Sequence, residues 1–246
     1  MVILRILKLS KKETENKLKE FSVIGIKEVF NGSNRVFLCE MGDKKSEKIL
    51  SIYKPLKGER PLRDFFVGNL CSRELAAYEI SKQLGWPNLP PLVNRDGPFG
   101  YGSFQMFIDH DPKYNYFNLF DKFKKQLTEV MFFDHIILNT DRKAGSIILD
   151  NNNEIWAIDQ ALTFNPYTRI RTVMFEFNKM KIQDFLISHI ENLLITLEKK
   201  EELYNILLDL LSDEEIDSLL ERLRKLLRDK RLPELDPHIN VPYPLV

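Results

Sequence analysis

The stretch that decides the fold reads Asn139-Thr140-Asp141-Arg142-Lys143-Ala144-Gly145-Ser146-Ile147-Ile148-Leu149-Asp150-Asn151-Asn152-Asn153-Glu154-Ile155-Trp156-Ala157-Ile158-Asp159-Gln160-Ala161. Two apolar runs, Ile147 to Leu149 and Ile155 to Ile158, flank the Asx-rich turn Asp150 to Asn153, a pattern that predicts a short β-hairpin. A hairpin brings its outer ends together, so Asp141 before the first strand and Asp159 after the second would share a site. Phosphoryl transfer needs two such carboxylates: one orients the attacking hydroxyl, the other holds the metal that neutralises the nucleotide phosphates. Asp141 takes the first role and Asp159 the second. Arg142 and Lys143 either stabilise the transferred phosphoryl charge or brace the loop.

Working outward, the segment from about Phe117 to Leu138 is expected to be the long helix that delivers this loop. Helical spacing of leucine and isoleucine continues over 182–197, 200–211 and 214–229, with Ser212 and Asp213 marking a helix start, before a proline-rich, extended tail. Upstream the pattern is different. Strands are expected over 22–30, 35–40 and 49–54, the first two joined by the turn Asn31-Gly32-Ser33-Asn34. A helix follows over 69–84, stopped by Gly85 and Pro87, and a further strand is expected over 102–108.

This order gives the upstream residues candidate roles. Lys54 ends the third strand and points opposite to Tyr53, where a lysine can neutralise α- and β-phosphate oxygens. Glu74 lies on the next helix, the element that in protein kinases supplies the ion-pair partner of such a lysine. The tight turn with Ser33 and Asn34 would cradle a phosphate on its backbone N–H groups. Gln105 to Ile108, with Gln105 and Phe107, would form a hinge whose backbone reads the adenine. The change of character near 108–113 implies two lobes: a β-rich N-lobe over 1–108 and a mainly helical C-lobe over 109–246.

Composition narrows the function further. Lysine plus arginine and aspartate plus glutamate both total 36, so no positive field favours nucleic acid or an anionic membrane surface. No apolar run has the ~20 residues of a transmembrane helix, and the N-terminus does not read as a signal peptide. A cytoplasmic location is expected. Cys39 and Cys71 are too few for a disulfide framework or thiolate metal site and read as small core residues. His110 and His135 read as structural.

Several motifs follow one another in a characteristic order: Tyr53-Lys54-Pro55, Gly58-Glu59-Arg60-Pro61-Leu62, Arg73-Glu74-Leu75-Ala76-Ala77-Tyr78, Leu84-Gly85-Trp86, Arg95-Asp96-Gly97-Pro98 and Gly102-Ser103-Phe104-Gln105. The series continues through Asn139-Thr140-Asp141-Arg142-Lys143, Ile158-Asp159, Arg171-Thr172-Val173 and Val241-Pro242-Tyr243-Pro244. In these the chain resembles the prokaryotic phosphatidylinositol 3-/4-kinase-like proteins, within the kinase-fold group that includes lipid kinases and HipA-type kinases. The resemblance implies an α+β, two-lobed protein-kinase-like fold, ATP and Mg²⁺ as cofactors, and transfer of a phosphoryl group to a hydroxyl. It maps the nucleotide lysine to Lys54, its acidic partner to Glu74, the catalytic aspartate to Asp141 and the metal aspartate to Asp159. The group's Asn-x-Asp-x-(His/Lys)-x-x-Asn pattern meets Asn139, Asp141, Lys143 and, at the second metal position, Ser146 in place of asparagine. Asp159-Gln160-Ala161 likewise stands where Asp-x-Gly is usual. These two departures leave a nucleotide-binding pseudokinase or an AMP transferase as alternatives. The acceptor, a protein, a metabolite or an inositol lipid, is not written in the sequence; the neutral charge favours a protein or soluble acceptor.

Overall fold

A computed structural model describes residues 10–29, 35–42, 47–58 and 69–246. The turn expected at 31–34, with the phosphate-binding roles assigned to Ser33 and Asn34, lies outside the described residues. The chain forms two compact units, one of residues 1–60 with 90–108 and one of residues 61–89 with 109–246.

In the first unit, helix α1 (Lys11–Glu20) starts at a capping box. The Ser10 hydroxyl accepts the Glu13 N–H, and the Glu13 carboxylate accepts the Ser10 N–H at 2.7 Å, which satisfies two otherwise orphan donors. Strands β1 (Ser22–Val29), β2 (Val36–Gly42), β3 (Lys48–Pro55), β4 (Leu92–Gly97) and β5 (Gly100–Met106) form an antiparallel sheet in the order β1-β2-β3-β5-β4. Phe37, Tyr53, Phe104 and Val93 pair across β2, β3, β5 and β4 and, with Cys39 and Met41, bury one face together with Leu18 of α1. The period-two alternation of a strand then puts Leu38, Ile52 and Gln105, which also pair in register, on the opposite face with Lys54 and its partner Ser103. Arg95 ties α1 to the sheet by donating to the carbonyls of Lys19 at 2.6 Å and Phe21 at 2.9 Å. The β4–β5 turn is so tight that β5 runs two residues ahead of the expected 102–108. Phe107 therefore lies beyond the strand.

Gly102 is required where it stands. A Cβ there would lie 2.3 Å from the Lys54 carbonyl oxygen and 2.7 Å from Pro55 Cα, so any side chain would force β5 off β3 beside the lysine.

The second unit contains α2 (Leu70–Leu84), α3 (Tyr116–Ile137), α4 (Asp184–Glu198), α5 (Glu202–Leu210) and α6 (Asp213–Asp229), with a hairpin of β6 (Ile147–Leu149) and β7 (Ile155–Ala157). Asn69 caps the start of α2, and Gly85 at φ 77° ends it in the left-handed conformation that glycine adopts without steric cost. The expected division at 108/109 put α2 with the sheet; it groups instead with the other helices. The cause is chemical. Arg73, almost fully buried, pairs with Glu215 of α6 and donates to the Thr163 carbonyl at 2.5 Å, while α2 also packs on α4 and α5. The second half of α3, Leu127 to Ile137 apart from Glu129, is buried, and this anchors the loop that follows it. No helix among the described residues is long and apolar enough to cross a membrane. Cys39 and Cys71 are buried and not joined in a disulfide. His135 is also buried, which pushes its pKa down to about 3 and keeps it neutral.

Candidate active site

The site is built from the end of α3. Leu138 turns the chain at φ 52°, and both it and Asn139 direct their N–H groups to the Asp134 carbonyl. The Asn139 side chain then works in two directions, donating to Asp134 Oδ1 at 3.0 Å and accepting the Asp141 N–H at 3.0 Å. This is an Asx-type turn, which fixes the backbone of the aspartate two residues on.

Arg142 closes the arrangement. Its Nε donates to Asp134 Oδ2 at 2.7 Å and its Nη2 to Oδ1 at 2.8 Å, a two-pronged pair from which solvent is fully excluded. Its Nη1 reaches the carbonyls of Ile158 at 2.9 Å and Ser146 at 3.3 Å. The arginine therefore joins α3, the loop and the two outer ends of the hairpin. Of the two readings of Arg142, stabilising phosphoryl charge is corrected: a completely buried guanidinium bound to internal acceptors cannot reach a substrate, and it braces the loop.

Lys143, the next residue, faces the other way. Its Nζ lies 2.8 Å from Asp141 Oδ2, with about a quarter of each side chain exposed (27% and 25%). Burial pushes the Asp141 pKa above the ordinary aspartate value. The hydrogen bond and charge of Lys143 and the charge of Arg171 pull it down, and the charge of Asp159 pushes it up again. The two aspartates flank the hairpin, Asp141 before β6 and Asp159 after β7. The Ile158 N–H donates to the Ser146 carbonyl at 3.0 Å, which places Ser146 beside the approach to Asp159. Asp159 is exposed and left-handed at φ 61°. Ala161 is not among the left-handed residues, so the backbone makes no demand for glycine at that position.

Arg171 belongs to this site, although its sequence motif gave it no role. Its N–H donates to the Asn139 carbonyl at 3.2 Å and its carbonyl accepts the Arg142 N–H at 2.9 Å. Its Nε donates to the Thr140 carbonyl at 2.6 Å. The contacts are between backbone segments far apart in sequence, which no spacing rule reveals. Asp134 was equally hidden as one polar residue in a buried helix.

The remaining predicted residues divide between the units. Lys54 and Gln105 share one face of the sheet in the first unit, and Gln105 is buried. The N–H groups of Met106 and Phe107 are engaged by the carbonyls of Pro91 at 2.8 Å and Leu50 at 3.0 Å, so these two amides are not open to a nucleotide base. Glu74 is buried on α2 in the second unit. Among the described residues no three His, Cys, Asp or Glu side chains cluster as a metal site; the hard oxygen donors at the site are Asp141, Asp159 and Ser146, the last almost wholly buried.

No protein-family model matches the chain. Protein Rv2133c of Mycobacterium tuberculosis is 28% identical over 260 aligned residues, covering 92% of each chain. Among solved structures, the Golgi casein kinase with Mn/ADP bound matches with a TM-score of 0.57 at 12% identity, over 89% of this chain and 75% of that one. Hydra Fam20 with sugar matches at 0.51 and 12% identity, over 89% and 87%. The Helicobacter pylori proinflammatory kinase CtkA matches at 0.51 and 10% identity, over 86% and 93%. These neighbours are atypical protein kinases, and the chain has their kinase-like α+β fold, with an antiparallel β-rich N-terminal part and a helical C-terminal part. At such identities the likeness reaches the fold alone; none of these relatives is named for a phosphatidylinositol kinase.

Proposed function

We propose that the protein is an ATP-dependent phosphotransferase that moves the γ-phosphoryl group to a hydroxyl of a protein or small molecule, with a divalent cation, Mg²⁺ or Mn²⁺, at Asp159. The observation that carries this reading is Asp141: a half-buried carboxylate on a braced loop, ion-paired to Lys143 and within electrostatic reach of a second carboxylate. A raised pKa makes Asp141 a better proton acceptor than an ordinary aspartate, and the Asn139 turn aims it. The acceptor hydroxyl would give its proton to Asp141 as its oxygen attacks the γ-phosphorus and the bond from that phosphorus to the β,γ-bridging oxygen breaks. Lys143 would hold the negative charge of the transferred group. Two carboxylates at the outer ends of one hairpin, with a lysine paired to the first, would suit a hard cation, which when bound would neutralise phosphate charge; Asp159 would hold it. Lys54 would neutralise the α- and β-phosphates, with Glu74 as its acidic partner. The phosphatidylinositol 3-/4-kinase-like resemblance and a cytoplasmic location belong to this proposal.

A second reading is supported by Ser146. Its side chain is almost wholly buried, and its shorter hydroxyl stands where the resemblance expects a second metal ligand, which favours a nucleotide-binding module without turnover. Incubation with ATP labelled at the α or the γ position, against pools of protein, metabolite and inositol lipid, separates the possibilities. Transfer of γ-label that is lost in Asp141→Asn is the expected result. Transfer of α-label makes the protein an AMP transferase, and nucleotide binding without transfer makes it a pseudokinase.

A further inference from the structure

The site just described is held from outside by a segment to which no role has been given. Residues 239–246 run back across the loop and meet it at two places. At one, the Asn240 side chain donates to the Ile170 carbonyl at 2.8 Å, and the Asn240 carbonyl accepts the Thr172 N–H at 2.8 Å. Asn240 therefore grips the backbone on both sides of Arg171, the residue whose own backbone and Nε bond to Asn139, Thr140 and Arg142 around Asp141. At the other, the Leu245 carbonyl accepts the Ala144 N–H at 2.8 Å, three residues beyond Asp141, and Val246 lies over Gly145. The segment is itself fixed. The Asn240 amide oxygen accepts the Asp236 N–H at 3.0 Å, the Asn178 side chain both donates to and accepts from the Leu235 backbone, and Pro242 is buried.

We infer that residues 239–246 are a clasp that sets the position of Asp141, with Asn240 as its positioning residue; this rests on Asp141 being the catalytic base. The clasp meets the loop directly at Ala144 and, through residues 170–172, holds the segment that bonds to both sides of Asp141, so its loss frees the aspartate without removing any group proposed to meet substrate. Thr172 also connects the clasp to the loop, through its pairing with Arg142. Loops held by a few backbone hydrogen bonds open locally at a fraction of the global cost, and losing one such bond shifts the local opening equilibrium roughly tenfold. That makes the clasp strong enough to hold the loop and weak enough to be measured.

The test compares the wild type with Asn240→Ala. Amide hydrogen exchange should speed up about tenfold at Thr172 and Ala144, while amides within α4 and α6 keep their rates. In the labelled-ATP assay kcat should fall roughly tenfold with the KM for ATP within about twofold, because positioning is lost and nucleotide contacts are not. Tyr243→Ala, at an exposed side chain of the same segment (94%), should change neither. If Asn240→Ala does not fold, a chain lacking residues 245–246 removes the acceptor of Ala144 and the Val246 contact over Gly145, leaves Asn240 in place, and should still speed exchange at Ala144. Unchanged exchange at Ala144 in both variants overturns the clasp, as does exchange that rises equally throughout the helices. The exchange measurement needs no activity, so a wild type that transfers no label refutes the phosphotransferase reading while exchange alone decides whether residues 239–246 hold the loop.

Discussion

The two acidic ends of the hairpin are held in contrasting ways. Around Asp141, the side chains of Asn139, Thr140, Arg142 and Arg171 and the Arg171 backbone all form hydrogen bonds, and the supporting ion pair to Asp134 is completely buried. Around Asp159 the carboxylate is exposed, the residue itself is left-handed at φ 61°, and the next side chain, Gln160, is buried with its Nε2 lacking a hydrogen-bond partner. One end is over-determined; the other stores strain and an unmet polar group. Under the proposed phosphotransfer that difference would have a purpose, because a proton acceptor must be aimed before the substrate arrives, whereas a metal ligand can adjust to the cation and phosphates it meets.

The comparison can be broken hardest at Arg142. Arg142→Ala leaves the Asp134 carboxylate buried and unpaired, and should cost about 3–5 kcal/mol in chemical denaturation; a loss below about 1 kcal/mol would show that the loop is not held as described. Asp141→Asn preserves the shape of the well-held end and removes its chemistry. It should lower the rate of γ-label transfer about 10²–10⁴-fold with little change in nucleotide binding. Asp159→Gly tests the strained end: glycine relieves a left-handed backbone at about 1 kcal/mol, so thermal stability should rise while dependence on the divalent cation disappears. A fall in stability would mean that the carboxylate holds the turn.

The smallest effect is on stability as a function of pH. Because the Asp141 pKa is raised in the folded protein, the native state holds the proton more tightly than the unfolded chain, and ionisation there costs stability. The penalty is absent below the ordinary aspartate value of 3.8 and grows as pH rises through the raised pKa. Asp141→Asn should therefore be slightly more stable than the wild type at pH 7, and the gap should close in melts at and below about pH 4. The opposite sign would mean that Lys143 outweighs burial.

Local patterns carried much of this into the sequence. The Asx-rich turn between two apolar runs announced the hairpin of β6 and β7. Helix signals worked where capping chemistry was explicit, at Asn69, Gly85 and Ser212. What stayed hidden depended on long-range partners. Arg142 and Lys143 are adjacent cations with the same local pattern, and only the arrival of Asp134 makes one a buried brace while the other stays half open. The allegiance of α2 turned on Arg73 meeting Glu215, more than a hundred positions away, and the hinge amides of Met106 and Phe107 were engaged by carbonyls from other segments.

The buried Arg142 also acts as a checkpoint on assembly. Its charge is satisfied only when the end of α3 supplies Asp134 and the hairpin supplies the carbonyls of Ser146 and Ile158. Without Asp134 the guanidinium is a dry, uncompensated cation, among the costliest errors a fold can contain, and without the two carbonyls its Nη1 is a buried donor with no acceptor. Partly formed versions of the site are therefore disfavoured, and a population of molecules should contain complete sites and unfolded ones with few intermediates between.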